Sequence, residues 1–337
     1  MASPVIQATI EHLKSFVALP TQTTWQFYQT ETAVPKTFRP DLATFQPTQL
    51  AAIQPNNNGY LVFEKGLKLA WFYQKITLPE SINNYNISGL NARLNLTWWA
   101  EIAAIFVNGK LVCEGDLFDS STRLLLTDQA QANQIFKVTI ALVSPGHDIG
   151  ALMKSELIFE SPTLEILEAG SFATELKILT DYLARHNPEK ITVVEKQLNR
   201  IPWAQVADTQ KFNQALAEIR TELISFASCI KTRKFHVLGH AHLDMAWLWT
   251  TAETWEVGQR TFQSVLNLQR EFPELIFGHS TPALYDWLEN NRPDLWEKIQ
   301  QAVNHNYWEL LGGMWVEPDV NLVSGESIIR QFLYGQQ

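Results

Sequence analysis

The hydrophobic period of this chain changes at Pro162, and that change limits its fold more than any other feature. Across residues 60–159, short runs alternate apolar and polar side chains, as at 69–76, 92–99 and 136–142. Period two is the spacing of a β-strand, whose successive side chains point to opposite faces. Within 103–112, Asn108-Gly109 separates two apolar stretches. That pair is a strong hairpin signal, because both residues tolerate the left-handed backbone of a tight primed turn. An antiparallel β-sandwich is therefore expected over 60–162. Residues 1–59 hold one short helix, near 10–18, and linking text rich in Pro, Thr and Gln.

Beyond Pro162, apolar residues fall three and four apart, at Phe172, Leu176, Leu179 and Leu183, and again at Phe212, Leu216, Ile219, Leu223 and Phe226. Such stripes are helical, so 163–232 is expected to be a helical connector, broken at Pro188 and Pro202. From Phe235 the pattern becomes strand, helix, strand, helix, strand, with strands expected at 235–239, 275–278 and 309–316 and a single helix over 283–306. Ser324 has the residue type of an N-cap for a last helix. This order predicts a parallel α/β domain over 233–337. Three strands are too few to close a barrel or cover both sheet faces, so the expectation is the N-terminal part of a larger domain.

Composition removes several function classes. The 337 residues carry a net charge of −9 with no Lys/Arg run, which speaks against a nucleic-acid partner. No basic segment with an apolar core opens the chain, and no stretch reaches the roughly 20 apolar residues of a membrane span. A soluble, cytoplasmic protein without membrane contact is the expectation. Cys113 and Cys229 are the only cysteines. They are too few for a disulfide framework and are expected to be buried thiols in a reducing compartment. Without export, the acceptor patterns at Asn86 and Asn95 are chance matches. Twelve Trp residues are many for this length; aromatic faces grip sugar rings, although core burial is their commoner use.

The chemistry concentrates where the first α/β strand ends, at His240-Ala241-His242-Leu243-Asp244. On an extended strand residues two apart share a face, so His240, His242 and Asp244 are expected to project together. The C-terminal ends of strands are where α/β barrels keep their active sites. Imidazole and carboxylate suit Zn²⁺ or a similar ion. The plainer alternative is a hydrogen-bonded pair of histidines, but the His-x-His-x-Asp row favours ligation. The third strand is expected to end at Glu317-Pro318-Asp319. Asp319 then has three readings: ligand, nucleophile or both. For Glu317, a direct role stands beside a structural one, as a carboxylate held by backbone N–H groups or an Arg.

These residues bring in a family. The segments 239–249, 312–319 and 324–327 closely resemble glycoside hydrolase family 38, the retaining α-mannosidases. Trp98-Trp99, Val107-Asn108-Gly109-Lys110, Glu114-Gly115-Asp116-Leu117-Phe118 and Ser144-Pro145-Gly146-His147-Asp148 are similar to the galactose-binding-like sandwich ahead of the barrel in its cytosolic and bacterial branch. The resemblance implies a (β/α)7-type catalytic barrel, incomplete in this chain, acting on α-mannoside oligosaccharides. It implies that His242 and Asp244 are metal ligands and that Asp319 both ligates and attacks the anomeric carbon. Trp247 then lines the mannose subsite, and His240 orients a ligand or bonds the substrate. Zn²⁺ is the implied ion, with Co²⁺ as the alternative. The family's acid/base aspartate and final histidine ligand lie beyond position 337, so the rest of the barrel is expected from a longer or a separate chain. Thr281 stands where relatives often have Gln, and Thr250 where Pro is common. Two other readings compete: a metal-dependent amidohydrolase-type barrel, and a non-catalytic fragment whose sandwich binds carbohydrate.

Overall fold

The computed structural model describes residues 3–117, 119–163 and 167–337, apart from the side chains of Cys229 and Glu271. Phe118, the end of one family-like motif, and the expected thiol burial of Cys229 therefore lie outside the described residues. The chain forms two compact units, Met1–Thr232 and Arg233–Gln337.

The first unit opens on helix α1 (Pro4–Lys14), earlier than the helix expected at 10–18. Ser3 sets the start, its hydroxyl accepting from the Val5 N–H, and Pro4 sits where a missing N–H costs nothing. Strands β1 (Ala18–Pro20), β2 (Gln26–Ala33), β3 (Ala51–Ala52) and β4 (Leu61–Phe63) follow. Next come β5 (Lys68–Thr77) and the short hairpin of β6 (Ser81–Ile82) and β7 (Tyr85–Asn86). The remaining strands of this unit are β8 (Asn91–Trp99), β9 (Ile102–Val107), β10 (Lys110–Gly115), β11 (Ser121–Thr127), β12 (Ile135–Val143) and β13 (Gly150–Glu160). One antiparallel sheet has the order β1-β13-β8-β11 with β4 also on β13, and the other β10-β9-β12-β5-β2-β3. Between β9 and β10, Asn108 and Gly109 take φ of +50° and +83° and bring Lys110 opposite Val107, the hairpin expected from the sequence.

Leu94, Leu96 and Trp98 of β8 share a core with Phe72, Ile140 and Leu142 of the other sheet, so the two inner faces form a sandwich. A second core covers the outer face of the six-stranded sheet, where Trp71, Phe106 and Val143 meet Phe38, Leu42 and Phe45. That cover explains why Leu69, Ala70, Trp71 and Phe72 are all buried: this part of β5 is covered on both faces. It also corrects the expected boundary at residue 60. The linking text supplies three strands and the layer over one sheet, a role its short, polar-flanked runs do not signal. Cys113, on β10, is a half-buried free thiol rather than a core residue.

Helices α2 (Ala169–His186), α3 (Ile191–Leu198), α4 (Thr209–Leu223) and α5 (Ser228–Lys231) complete the unit. Phe172, Leu176, Leu179 and Leu183 of α2 and Phe212, Leu216, Ile219 and Leu223 of α4 join the sandwich core. The stretch expected to be a connector thus buries its apolar stripe against the first unit.

In the second unit β14 (Gly239–His240) leads to α6 (Thr251–Glu271), then β15 (Phe277–His279), α7 (Pro282–Asn291), α8 (Pro293–Asn304), β16 (Trp308–Leu310) and α9 (Gly325–Gly335). The three strands are parallel and adjacent in chain order. Phe262 of α6 packs on Phe277 and Trp308, with Leu284, Leu288, Leu295 and Ile299 around them. Three expectations are corrected. The first strand lies at 239–240, and Phe235 and Val237 are exposed. The helix expected over 283–306 is two helices, because Pro293 forces Arg292 out of the helical region, to φ −138° and ψ 61°. The third strand stops at Leu310 rather than 316, since Gly312 and Gly313 turn to φ of +68° and +129°. Ser324 does cap α9, accepting from the Ser327 N–H. Among the described residues no helix is long and apolar enough to cross a membrane.

Candidate functional site

The chain leaves β14 at His240 and runs as a loop to Thr250, which starts α6 through a capping box with Glu253. Within that loop Ala246 takes φ +57°, a backbone that costs a non-glycine residue about 1 kcal/mol. Buried Thr254 stabilises it. Its hydroxyl accepts from the Ala246 N–H and from the Trp249 indole N–H, each at 3.1 Å, and donates to the Thr250 carbonyl. The same indole N–H reaches the Asp244 carbonyl at 3.1 Å. This folded-back loop sets Asp244 against His242, with Nε2 and Oδ1 3.0 Å apart. Thr254→Val keeps the shape and removes the acceptor, so it is expected to cost about 1 kcal/mol and speed hydrogen exchange at Ala246. Unchanged exchange there would show that Thr254 does not hold the turn.

His242 meets a second carboxylate: Nδ1 lies 3.0 Å from Glu317 Oε2. The other Glu317 oxygen accepts the Ser280 hydroxyl. Residues following β14, β15 and β16 therefore converge on one carboxylate. The Ser280 hydrogen bond, foremost, holds the Glu317 carboxyl below the usual range; partial burial opposes it and the neighbouring histidines assist. His240 Nδ1 is 2.9 Å from the Gly278 carbonyl, which ties that ring to β15. His279 is buried beside it and accepts the Thr281 N–H at Nδ1. Burial, with His240 adding, pushes His279 down to about 4.

The expected site residues separate into groups. His242 and Asp244 come together, but through the loop, since both lie beyond the two-residue strand and strand alternation does not reach them. His240 turns to β15 instead. Trp247 is 62% exposed, its ring edge-on to Trp249 at 5.6 Å. Asp319 sits in an exposed turn where Oδ1 accepts the Asn321 N–H. Among the described residues no group of three or more His, Cys, Asp or Glu is placed to hold a metal ion. Sequence reasoning missed the parts played by Thr254, His279 and Ser280; a His-Ser pair ending the second strand is the available signal.

Two donors nonetheless fit a cation. Ligands about 2.0–2.1 Å from a tetrahedral Zn²⁺ stand roughly 3.3 Å apart, close to the 3.0 Å between Nε2 and Oδ1. A neutral imidazole has one N–H, yet His242 faces two carboxylates. A second proton, or a metal ion at Nε2, would remove the conflict and leave Nδ1–H for Glu317.

Residues 232–337 match the model of the glycosyl hydrolases family 38 N-terminal domain. Alpha-mannosidase G of Dictyostelium discoideum is 36% identical over 132 residues, 39% of this chain, and alpha-mannosidase 2C1 of Homo sapiens is 41% identical over 101 residues, 30% of it. Residues 232–337 are thus similar to the N-terminal domain of glycosyl hydrolases family 38. Alpha-mannosidase of Saccharomyces cerevisiae is similar too, at 38% over 101 residues. The chain spans 12%, 10% and 9% of the lengths of these three relatives. The matched stretch contains the whole His242–Asp244–Glu317–Ser280 cluster.

Proposed function

We propose that this chain carries part of the active site of a retaining α-mannosidase acting on terminal α-D-mannosides of oligosaccharides. The observation that carries the reading is the His242–Asp244 pair, 3.0 Å apart after the first strand of a family 38 domain whose relatives are named alpha-mannosidases. In this reading the three parallel strands belong to a (β/α)7-type barrel, and the protein resides in the cytoplasm.

His242 and Asp244 would hold a divalent cation, Zn²⁺ or Co²⁺, with Asp319 as a further ligand. When bound, such an ion supplies electrostatic stabilisation and orients sugar hydroxyls. Trp247 offers an exposed ring to the apolar face of the mannose. His240, tied through Nδ1 to the Gly278 carbonyl, keeps Nε2 for substrate or a ligand. The Asp319 carboxylate attacks the anomeric carbon as the glycosidic C–O bond breaks, forming an ester that water then cleaves with retention. The departing oxygen takes its proton from a general-acid side chain other than these residues, which then acts as base for the attacking water.

The test is turnover of 4-nitrophenyl α-D-mannoside and of α1,2-, α1,3- and α1,6-linked mannobiosides, with EDTA and with added Zn²⁺ or Co²⁺. Loss of turnover in EDTA and recovery with either ion is expected. Cleavage of amide substrates without glycoside turnover would place the site with the amidohydrolases. That no group of three or more His, Cys, Asp or Glu among the described residues is placed to hold an ion favours one second reading, carbohydrate binding without catalysis. Mannoside binding by calorimetry with no turnover under any ion would select it.

A further inference from the structure

Among the described residues of the cluster, Glu317 is the carboxylate with both oxygens committed to side chains from other loops: Oε2 to His242 Nδ1 at 3.0 Å and Oε1 to the Ser280 hydroxyl. We infer that Glu317 is a positioning residue that fixes the orientation and the tautomer of His242, with Ser280 as its clamp. The inference rests on the proposed role of His242 as a metal ligand and adds the group that makes it one.

The physical need comes from exposure. The His242 side chain is 60% exposed, so packing leaves its ring free to turn. A ligating imidazole must present a bare nitrogen to the ion and carry its proton on the other. The Asp244 carboxylate beside Nε2 pulls the proton toward the wrong nitrogen; Glu317 beside Nδ1 pulls it to the right one. Of the two, Glu317 has a fixed position, because its second oxygen accepts from Ser280 at the end of β15. Its own backbone is placed by α9: the Trp315 N–H donates to the Gln331 carbonyl and the Val316 N–H to the Gln331 side chain, both at 2.8 Å. Among the described residues the Asp244 carboxylate meets His242 and no second side chain of this kind, so it is the one to rotate and share a cation. Carboxylate partners of metal-bound histidines are worth about 10–100-fold in metal affinity.

The experiment combines Zn²⁺ titration by calorimetry with ¹⁵N-histidine NMR of the zinc-loaded protein. In the wild type the His242 Nδ1 proton is expected to exchange slowly enough to be seen. Glu317→Ala should erase that proton signal and weaken Zn²⁺ binding about 10–100-fold. Glu317→Gln, whose amide oxygen still accepts from Nδ1–H, should recover the signal and part of the affinity. A purely structural role would not separate these two variants. Ser280→Ala, which leaves Glu317 in place and removes only its clamp, should fall between wild type and Glu317→Ala, and it tests the same role if Glu317→Ala does not fold. If Glu317→Ala and Ser280→Ala bind Zn²⁺ as the wild type does while His242→Ala loses it, the positioning role is overturned and His242 stays a ligand. If wild type and His242→Ala bind Zn²⁺ alike, the ligand assignment fails and takes this role with it.

Discussion

Asp319→Ala in the active, metal-loaded enzyme is expected to lower kcat on α-mannosides by about 10⁴-fold or more, the scale on which removal of a covalent nucleophile acts. The side chain has two duties in the proposed mechanism, attack on the anomeric carbon and ligation. Asp319→Asn separates them, since the amide oxygen still ligates but does not attack. Zn²⁺ affinity should therefore fall in Asp319→Ala and largely survive in Asp319→Asn, with turnover lost in both. Folding offers no competing explanation. Asp319 is exposed and its carboxylate caps a turn through the Asn321 N–H, so the melting temperature should move little. Near-normal turnover in either variant would remove Asp319 from the chemistry.

Acid is expected to destabilise the second unit through His279. Its folded-state value lies near 4, against an ordinary value of about 6.5, because burial disfavours the charged ring and His240 adds to that effect. The sign follows from proton counting. Below pH 6.5 the unfolded chain binds the proton and the folded chain does not, so stability present at neutral pH is lost as pH falls from 6.5 toward 4. Between about pH 7 and pH 5 the loss amounts to about 2 kcal/mol. Urea unfolding at both values, in wild type and His279→Gln, isolates the effect. The variant lowers stability at both pH values but should show a smaller pH dependence. An identical pH dependence in the two proteins would mean that His279 titrates normally.

Several local features are legible directly in the residues. Asn108-Gly109 sets a hairpin because only residues at ease with positive φ fit its turn. The stripes through Phe172 and Phe212 mark helices, since a 3.6-residue period puts them on one face. Pro162 lies at the change from strands to helices, and Ser324 starts the last helix. His242-Leu243-Asp244 is marked as a candidate site by residue type, and the two side chains do meet.

Tertiary structure decided what depends on partners distant in sequence. That residues 18–52 supply three strands and cover one sheet follows from pairing with β13 and β5 and from packing on Trp71, neither of which leaves a local period. His242 meets Asp244 in the loop whose Ala246 turn is held by Thr254; strand alternation would also have put them on one face, but the strand ends at His240. Glu317 has two readings in the sequence, and its observed partners, Ser280 and His242, both far away along the chain, are named by neither. Residue type determines which chemistry is available, because it is a property of single side chains. Which groups share a proton or a cation is a matter of distances of about 3 Å, and those are set only when separate strands come to lie side by side.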